Sequence, residues 1–329
     1  MRFGNTPIEH ALGAVLAHSV HLSDGRIAKG RVLTVADIEQ LRDAGLKSIV
    51  AAQLDANDVP ENIAASRIGQ ALQCNSLRIE EPSTGRVNIF AKFDGLCVID
   101  AESINQINSL HESMTIATVR PYEPVNAGQL IATVKIIPFA TPSDQLDRVL
   151  SIAHEKQFVL SVHSFRSQKV GVVFSELPTV PFKGKEKAIR VLEDRLTQVG
   201  SKIDKMIVCR HESQAVAEAI RSHLARGCKL ILLFGASAIV DRGDVIPAAI
   251  LEAGGEVTYF GMPVEPGNML LLGSIDEVNA IGLPGCARSP KFNGFDWVLQ
   301  RLFAGLSVDG KDIAKMGVGG LLKEMRRHR

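Results

Sequence analysis

Neither sign of charge dominates this chain of 329 residues, in which 37 Lys and Arg stand against 36 Asp and Glu for a net charge of +1. The strongly basic balance that phosphate-backbone binding draws on is missing, so no nucleic-acid partner is expected. Cysteine is sparse as well. Cys74, Cys97, Cys209, Cys228 and Cys286 are odd in number, far apart and never in a C-x-x-C pair, which argues against a disulfide framework or a zinc knuckle. A reducing, cytoplasmic setting is the expectation. No run approaches the ~20 apolar residues that cross a bilayer, and the opening Met1-Arg2-Phe3-Gly4-Asn5 lacks the apolar segment of a secretory signal. No membrane partner is expected. The common nucleotide fingerprints are absent too: there is neither G-x-G-x-x-G after a strand nor G-x-x-x-x-G-K-[ST], which excludes an ordinary Rossmann dehydrogenase or P-loop NTPase.

What is present is ample apolar material, 46% of residues, enough for packed cores in one large domain or two to three ordinary ones. Residues 1–140 read as a mixed α+β region. Thr34 and Asp37 form a capping-box start for a helix with Val35, Ile38 and Leu41 on one face and Gly45 at its end. Ser48-Ile49-Val50-Ala51 reads as a buried strand, and a second helix opening near Pro60 carries Ile63, Ala64, Ile68 and Leu72. Short strands over 87–92, 115–119 and 130–137 mark a small β-rich unit, with Asn126-Ala127-Gly128 turning into the last. The helix start Thr141-Pro142-Ser143-Asp144 places a domain boundary near 139–142. A second domain is then expected over 141–320. Residues 321–329 remain as a basic tail or linker, within a stretch, 311–329, that holds six Lys or Arg against two acids.

In the second domain, short apolar strands over 170–174, 206–209 and 230–234 alternate with helical patterns over 185–199 and 213–226. That alternation predicts a parallel sheet with helices on both faces. Right-handed crossovers then bring the carboxyl ends of the strands to one edge, where ligands bind in such sheets. The strand over 229–234 runs into Gly235-Ala236-Ser237-Ala238-Ile239-Val240-Asp241-Arg242-Gly243-Asp244-Val245-Ile246-Pro247, which leads to a helix ending at Gly254-Gly255. Small residues let a ligand approach the backbone, and free N–H groups at a helix start can hold an anion. Asp241 and Asp244 would repel a phosphate unless a divalent cation bridges them to it or one serves as a general base. The plainer reading makes Asp244 a helix cap and Asp241 a solvated loop residue. Two further turns, Pro266-Gly267-Asn268 and Pro284-Gly285-Cys286, expose N–H groups of the kind that nest anions.

Taken in order, residues 235–247, the run Val264-Glu265-Pro266-Gly267-Asn268-Met269 and the run Gly282-Leu283-Pro284-Gly285-Cys286-Ala287 resemble the signatures of the molybdopterin-binding domain family. That domain occurs in molybdenum-insertion and molybdopterin-adenylylating proteins and in competence-damage-type nucleotide amidohydrolases. The resemblance spans about residues 165–320 and implies an α/β, three-layer parallel-sheet domain. It implies molybdopterin as ligand or substrate, Mg²⁺ on Asp241 and Asp244, ATP as a candidate nucleotide, and Asp244 acting with Asp241 at the terminal phosphate. By the same resemblance Gly235, Ser237, Pro266, Gly267, Asn268, Pro284, Gly285 and Cys286 line the pterin and phosphate pocket, and Lys291 supplies a positive charge.

The chain also departs from the family pattern. Leu233-Phe234-Gly235-Ala236-Ser237 stands where the family has Thr-Thr-Gly-Gly-Thr/Ser, and His211 stands where it has a second aspartate, with Glu212 as partial substitute. Ser175-Glu176-Leu177 echoes the family's Ser/Asp-Glu-Leu, and Lys183 and Lys185 follow it as candidates to face a phosphate. Ala11-Leu12-Gly13-Ala14-Val15-Leu16-Ala17 and Asp94-Gly95 faintly resemble elements of molybdenum-insertion proteins. The functions implied are molybdenum insertion or adenylyl transfer in cofactor synthesis. The altered loop motivates a non-catalytic cofactor carrier or sensor, and the amidohydrolase relatives motivate a nucleotide amidohydrolase or pyrophosphatase. Expected partners are a small pterin ligand, a second copy of the chain, and a fused or contacting nucleotidyltransferase domain at the basic tail. With no general positive field, an anionic ligand has to be held by backbone N–H groups, helix starts or a bridging metal.

Overall fold

The computed structural model describes residues 1–23, 25–179 and 184–322. The chain divides into two compact units, Met1–His163 and Ser164–Arg329.

The first unit is mixed α+β. The helix Val35–Asp43 opens on the expected capping box, in which Thr34 Oγ1 accepts from Asp37 N–H and Asp37 accepts from Thr34 N–H. Ile38 and Leu41 are buried, whereas Val35 is 60% exposed, because the first turn projects beyond the apolar stripe. This helix covers a small antiparallel sheet in which Ser48–Gln53 lies between Arg2–Pro7 and Val15–Leu16. A larger core gathers a four-stranded antiparallel sheet, ordered Met114–Thr118, Leu130–Ile136, Arg86–Ala91 and Leu77–Ile79, and a three-stranded sheet containing Gly95–Ile99. Helices Glu61–Ala71, Ala101–Leu110 and Ser143–Glu155 pack into that core.

The last of these helices moves the boundary. Leu146, Val149 and Ala153 are buried among Ile68, Ile89 and Ile104, so the helix expected to open the second domain belongs to the first unit. The chain leaves this unit after the strand Leu160–Ser164 rather than near 139–142.

The second unit is built on a six-stranded sheet. Its strands are β1 (Lys169–Glu176), β2 (Lys202–Arg210), β3 (Leu230–Phe234), β4 (Glu256–Phe260), β5 (Leu271–Ile275) and β6 (Val278–Gly282), and its helices are α1 (Lys185–Gln198), α2 (Ser213–Ala225), α3 (Val245–Glu252), α4 (Gly294–Phe303) and α5 (Gly310–Lys315). The order across the sheet is β2-β1-β3-β6-β5-β4. Alternate side chains divide between two cores. Val170, Val172, Phe174, Leu230, Leu232 and Phe234 pack with α1 and α4, while Val173, Ile231 and Leu233 pack with α2 and α3.

The all-parallel expectation is corrected: β2, β1, β3 and β6 run parallel, but β5 is antiparallel to both β6 and β4. A tight turn with Asp276 at φ 48° joins β5 to β6, and a two-residue turn leaves no room for the crossover that a parallel pair needs. Strand β2 lies at the sheet's edge, so Met206 and Val208 are 41% and 49% exposed despite their apolar character. Among the described residues no helix is long and apolar enough to cross a membrane.

Candidate functional site

The register brings every loop singled out by sequence to one end of the sheet. Glu176 pairs with Arg210, Phe174 with Phe234, Leu233 with Gly282, and Gly282 with Leu271. The segments after β1, β2, β3 and β6, and the segment entering β5, therefore start from neighbouring positions. Leu283 N–H donates to Leu233 O at 2.9 Å, which ties the Pro284–Cys286 turn to the strand that feeds the Gly235 loop.

Gly235 is buried, and a Cβ there would stand 2.8 Å from Ser237 O. Only glycine lets the loop fold back this tightly. The N–H groups of Ala236, Ser237 and Ala238 find no acceptor among the described residues, and Ser237 and Ala238 are exposed. Successive N–H groups that bond no other part of the protein form a cradle suited to an anion. Gly285 N–H also lacks an acceptor among the described residues, at the first position of a short 3-10 turn, Gly285–Arg288.

Asp244 caps α3: its Oδ1 accepts from Val245 N–H at 2.8 Å and its Oδ2 from Val240 N–H at 3.3 Å. Asp241 Oδ1 accepts from Gly243 N–H at 2.7 Å, and Asp241 is exposed. Asp244 is thus engaged through both oxygens, whereas Asp241 Oδ2 accepts no hydrogen bond among the described residues, where no three His, Cys, Asp or Glu side chains gather as a metal cluster. A Mg²⁺ ion takes one or two carboxylates and completes its octahedron with water and phosphate, and the Oδ2 of the exposed Asp241 is the oxygen of this loop that would serve one.

The second turn is framed by backbone. Pro266 O accepts from Gly294 N–H at 2.9 Å, and a Cβ on Gly267, whose φ is 142°, would meet Gly294 N at 2.8 Å. Asn268 is exposed, and its carbonyl accepts from Met262 N–H at 3.0 Å. Behind the third turn stands a residue that sequence reasoning missed. Arg195 of α1 is 6% exposed and donates to Asp296 Oδ1 at 2.6 Å, to Ala287 O at 2.9 Å and to Ser289 O at 2.8 Å. Its Nη2 also reaches Lys291 O at 3.1 Å. Lys291 therefore serves the scaffold through its carbonyl, while its side chain is exposed. Asp296 in turn accepts from Asn293 N–H at 2.8 Å, completing the capping box of α4. An arginine within an ordinary amphipathic helix pattern carries no signal of this role; only the fold puts three carbonyls in front of it. Cys286 is half-buried, and burial pushes its thiol up, so it contributes shape rather than a thiolate.

At the β1 and β2 ends, Ser175 is fully buried and Glu176 is paired with Lys185 at 2.7 Å, so Lys185 is committed within the protein rather than offered to a phosphate. Lys183 lies outside the described residues, as do Asp24 and the tail 323–329. Glu212 is exposed and sits 3.6 Å from Arg210 in a surface ion pair. His211, its neighbour, is the side chain that joins the site: its Nδ1 lies 2.9 Å from Ser175 Oγ, and its Cε1 lies 3.8 Å from the place of a Cβ on Gly235. Trp297 is half-buried against the α1 and α4 core, and His18 and His21 are exposed.

Residues 5–53 match a family described as a domain of unknown function (DUF8806), a stretch within the first unit. No curated protein matches the chain. Among solved structures, the molybdopterin biosynthesis MoeA protein from Pyrococcus horikosii is similar at 14% identity and a TM-score of 0.31, covering 92% of this chain and 75% of that one. A putative molybdenum cofactor biosynthesis protein from Corynebacterium diphtheriae is similar at 14% identity and a TM-score of 0.28, over 44% of this chain and 100% of that one. Molybdenum cofactor biosynthesis protein B matches at 12% identity and a TM-score of 0.29, over 42% of this chain and 88% of that one.

Proposed function

We propose that the second unit binds molybdopterin at the carboxyl edge of its sheet and that the protein acts in molybdenum-cofactor biosynthesis. The observation that carries this reading is the run of N–H groups without an acceptor among the described residues at Ala236, Ser237 and Ala238, beside the Gly285 turn. It supplies an anion cradle in a protein whose net charge is only +1, where the motif order had called for one.

In this reading the loops hold the pterin phosphate through backbone donors, and Gly235 and Gly267 keep the backbone accessible. Asp244 and Asp241 hold the loop. The engagement of Asp244 as a helix cap supports capture of the cofactor, which is the carrier reading, over magnesium-assisted transfer led by that residue at the phosphate. Titration of the purified protein with molybdopterin, with and without Mg²⁺, ATP and molybdate, tests both. The expected result is saturable binding that does not require Mg²⁺ and yields no adenylylated or metallated product. Absence of molybdopterin binding overturns the proposal. Turnover with Mg²⁺ and ATP or molybdate replaces the carrier with an enzyme, and Asp244→Asn discriminates again. Asparagine caps a helix as well as aspartate does, so the variant keeps its fold and its ligand unless the carboxylate charge carries a metal.

A further inference from the structure

Ser175 is fully buried at the carboxyl end of β1, and its hydroxyl has a single proton to give. Two groups lie within reach of its oxygen: Phe234 O at 3.1 Å and His211 Nδ1 at 2.9 Å. A carbonyl can only accept, so the Ser175 proton goes to Phe234. The second contact is then a hydrogen bond only when His211 Nδ1 carries a proton and donates to Oγ. The opposite arrangement, with Ser175 donating to Nδ1, leaves two oxygens facing each other without a proton between them. Of the two neutral imidazole tautomers, the site therefore selects the one with Nδ1–H and a bare Nε2.

Backbone contacts hold the ring in place. His211 N–H donates to Glu176 O at 2.9 Å, and the ring edge rests against Gly235, where there is no side chain to displace it. His211 is half-buried, and its Nε2 has no partner among the described residues.

We infer that Ser175 is a positioning residue that locks His211 in the Nδ1–H tautomer, so that Nε2 accepts a hydrogen bond, or a proton, from a ligand N–H or O–H at the mouth of the Gly235 loop. This rests on the reading of the loops as a small-molecule site and adds a requirement to it. The loops offer donors, which suit an anionic group, whereas His211 offers an acceptor. The ligand therefore carries both an anion and a donor-bearing group, as a heterocycle with ring N–H groups and a phosphate does. Sulfate, an anion with no proton to give, meets only the first demand.

Long-range proton–nitrogen correlation spectra of the full chain, with the His211 signal assigned by its loss in His211→Gln, read the tautomer directly. The expected wild-type pattern is Nδ1–H with a bare Nε2, and molybdopterin shifts the Nε2 resonance. Ser175→Ala removes the preference for Nδ1–H and weakens molybdopterin binding about tenfold, the size of one lost hydrogen bond. His211→Ala weakens it as much, and His211→Gln, whose amide oxygen can accept, recovers part of the loss. An Nε2–H pattern in the wild type overturns the inference, as does a Ser175→Ala protein with the wild-type tautomer or a His211→Ala protein with wild-type affinity. A wild type that shows the expected tautomer but binds no molybdopterin overturns the ligand role of Nε2 together with the site reading, and leaves the Ser175 lock standing. Circular dichroism of Ser175→Ala guards against a folding defect, and the tautomer of the wild type remains decisive if that variant does not fold.

Discussion

Arg195 shows how much one side chain can do for a site it does not enter. It is buried with Asp296 and spends its remaining donors on the carbonyls of Ala287, Ser289 and Lys291, which shapes the chain between the third turn and α4. Removing one member of a buried ion pair strands the other, at a cost of about 3–5 kcal/mol. Arg195→Met is expected to lose stability on that scale in denaturant unfolding; a loss under about 1 kcal/mol would assign the pair no more weight than a surface one. Gly235→Ala acts more locally. Its Cβ would press on a backbone oxygen at 2.8 Å, so the loop must shift, and molybdopterin affinity is expected to fall at least tenfold with only a modest loss of stability, about 1–3 kcal/mol. Unchanged affinity would remove the loop from the site. A third residue sets a pH dependence. His223 is fully buried against Gly171, with its Nε2 3.3 Å from Val172 O, and burial holds its imidazole below the ordinary histidine value. The unfolded chain binds a proton there once the pH drops below about 6.5, while the folded protein does not until its own lowered pKa is reached. Stability therefore falls as the pH falls through that window. Thermal unfolding followed from about pH 8 to pH 5 should show a declining Tm, with a shallower decline in His223→Asn; equal slopes would place the proton uptake elsewhere.

At the scale of the element, the capping box at Thr34 was readable as sequence, whereas those at Asn293 and Asp309 were not singled out. Thr34 and Asp37 close the first turn of their helix, with Arg31 Nε 3.0 Å from the same Asp37 oxygen. Thr34→Ala is expected to cost about 1 kcal/mol, seen as a lower denaturant midpoint without change in slope. No change would mean that tertiary packing alone holds the helix. Elements without a local signal were the ones missed. The antiparallel β4–β5 insertion has apolar strands of ordinary length, and nothing in their composition says which way they run. Direction followed from the tight turn at Asp276, which forces the chain straight back along β6. The edge position of β2 was equally hidden, because Met206 and Val208 read as core in a strand pattern and become surface only through strand order.

Across the whole molecule, two units each carry their own cores: the clusters around Ile89 and Leu41 in the first, and those on the two sheet faces in the second. A chain starting at Ser164 is accordingly expected to fold cooperatively alone and to bind molybdopterin with the affinity of the full protein. A fragment that stays unfolded, or folds without binding, would tie the site to the first unit. The alternation of short apolar strands with amphipathic helices was legible because its period repeats along the chain, and so were the Pro-Gly and Gly-Ala-Ser loops, because turn chemistry is a property of adjacent residues. Those local rules were enough to say where chain reversals lie and that helices run on from Thr34 and Ser213. They were not enough for anything that depends on partners distant in sequence. The helix Ser143–Glu155 joined the first unit because its apolar stripe matched that core, Asp244 proved a cap because two loop N–H groups reached its oxygens, and His211 entered the site because Ser175, 36 residues away, stands beside it. Local structure is written in neighbours along the chain; which face is buried, which carboxylate is spent and which imidazole nitrogen is bare depend on neighbours in space, and those exist only once the sheet has formed.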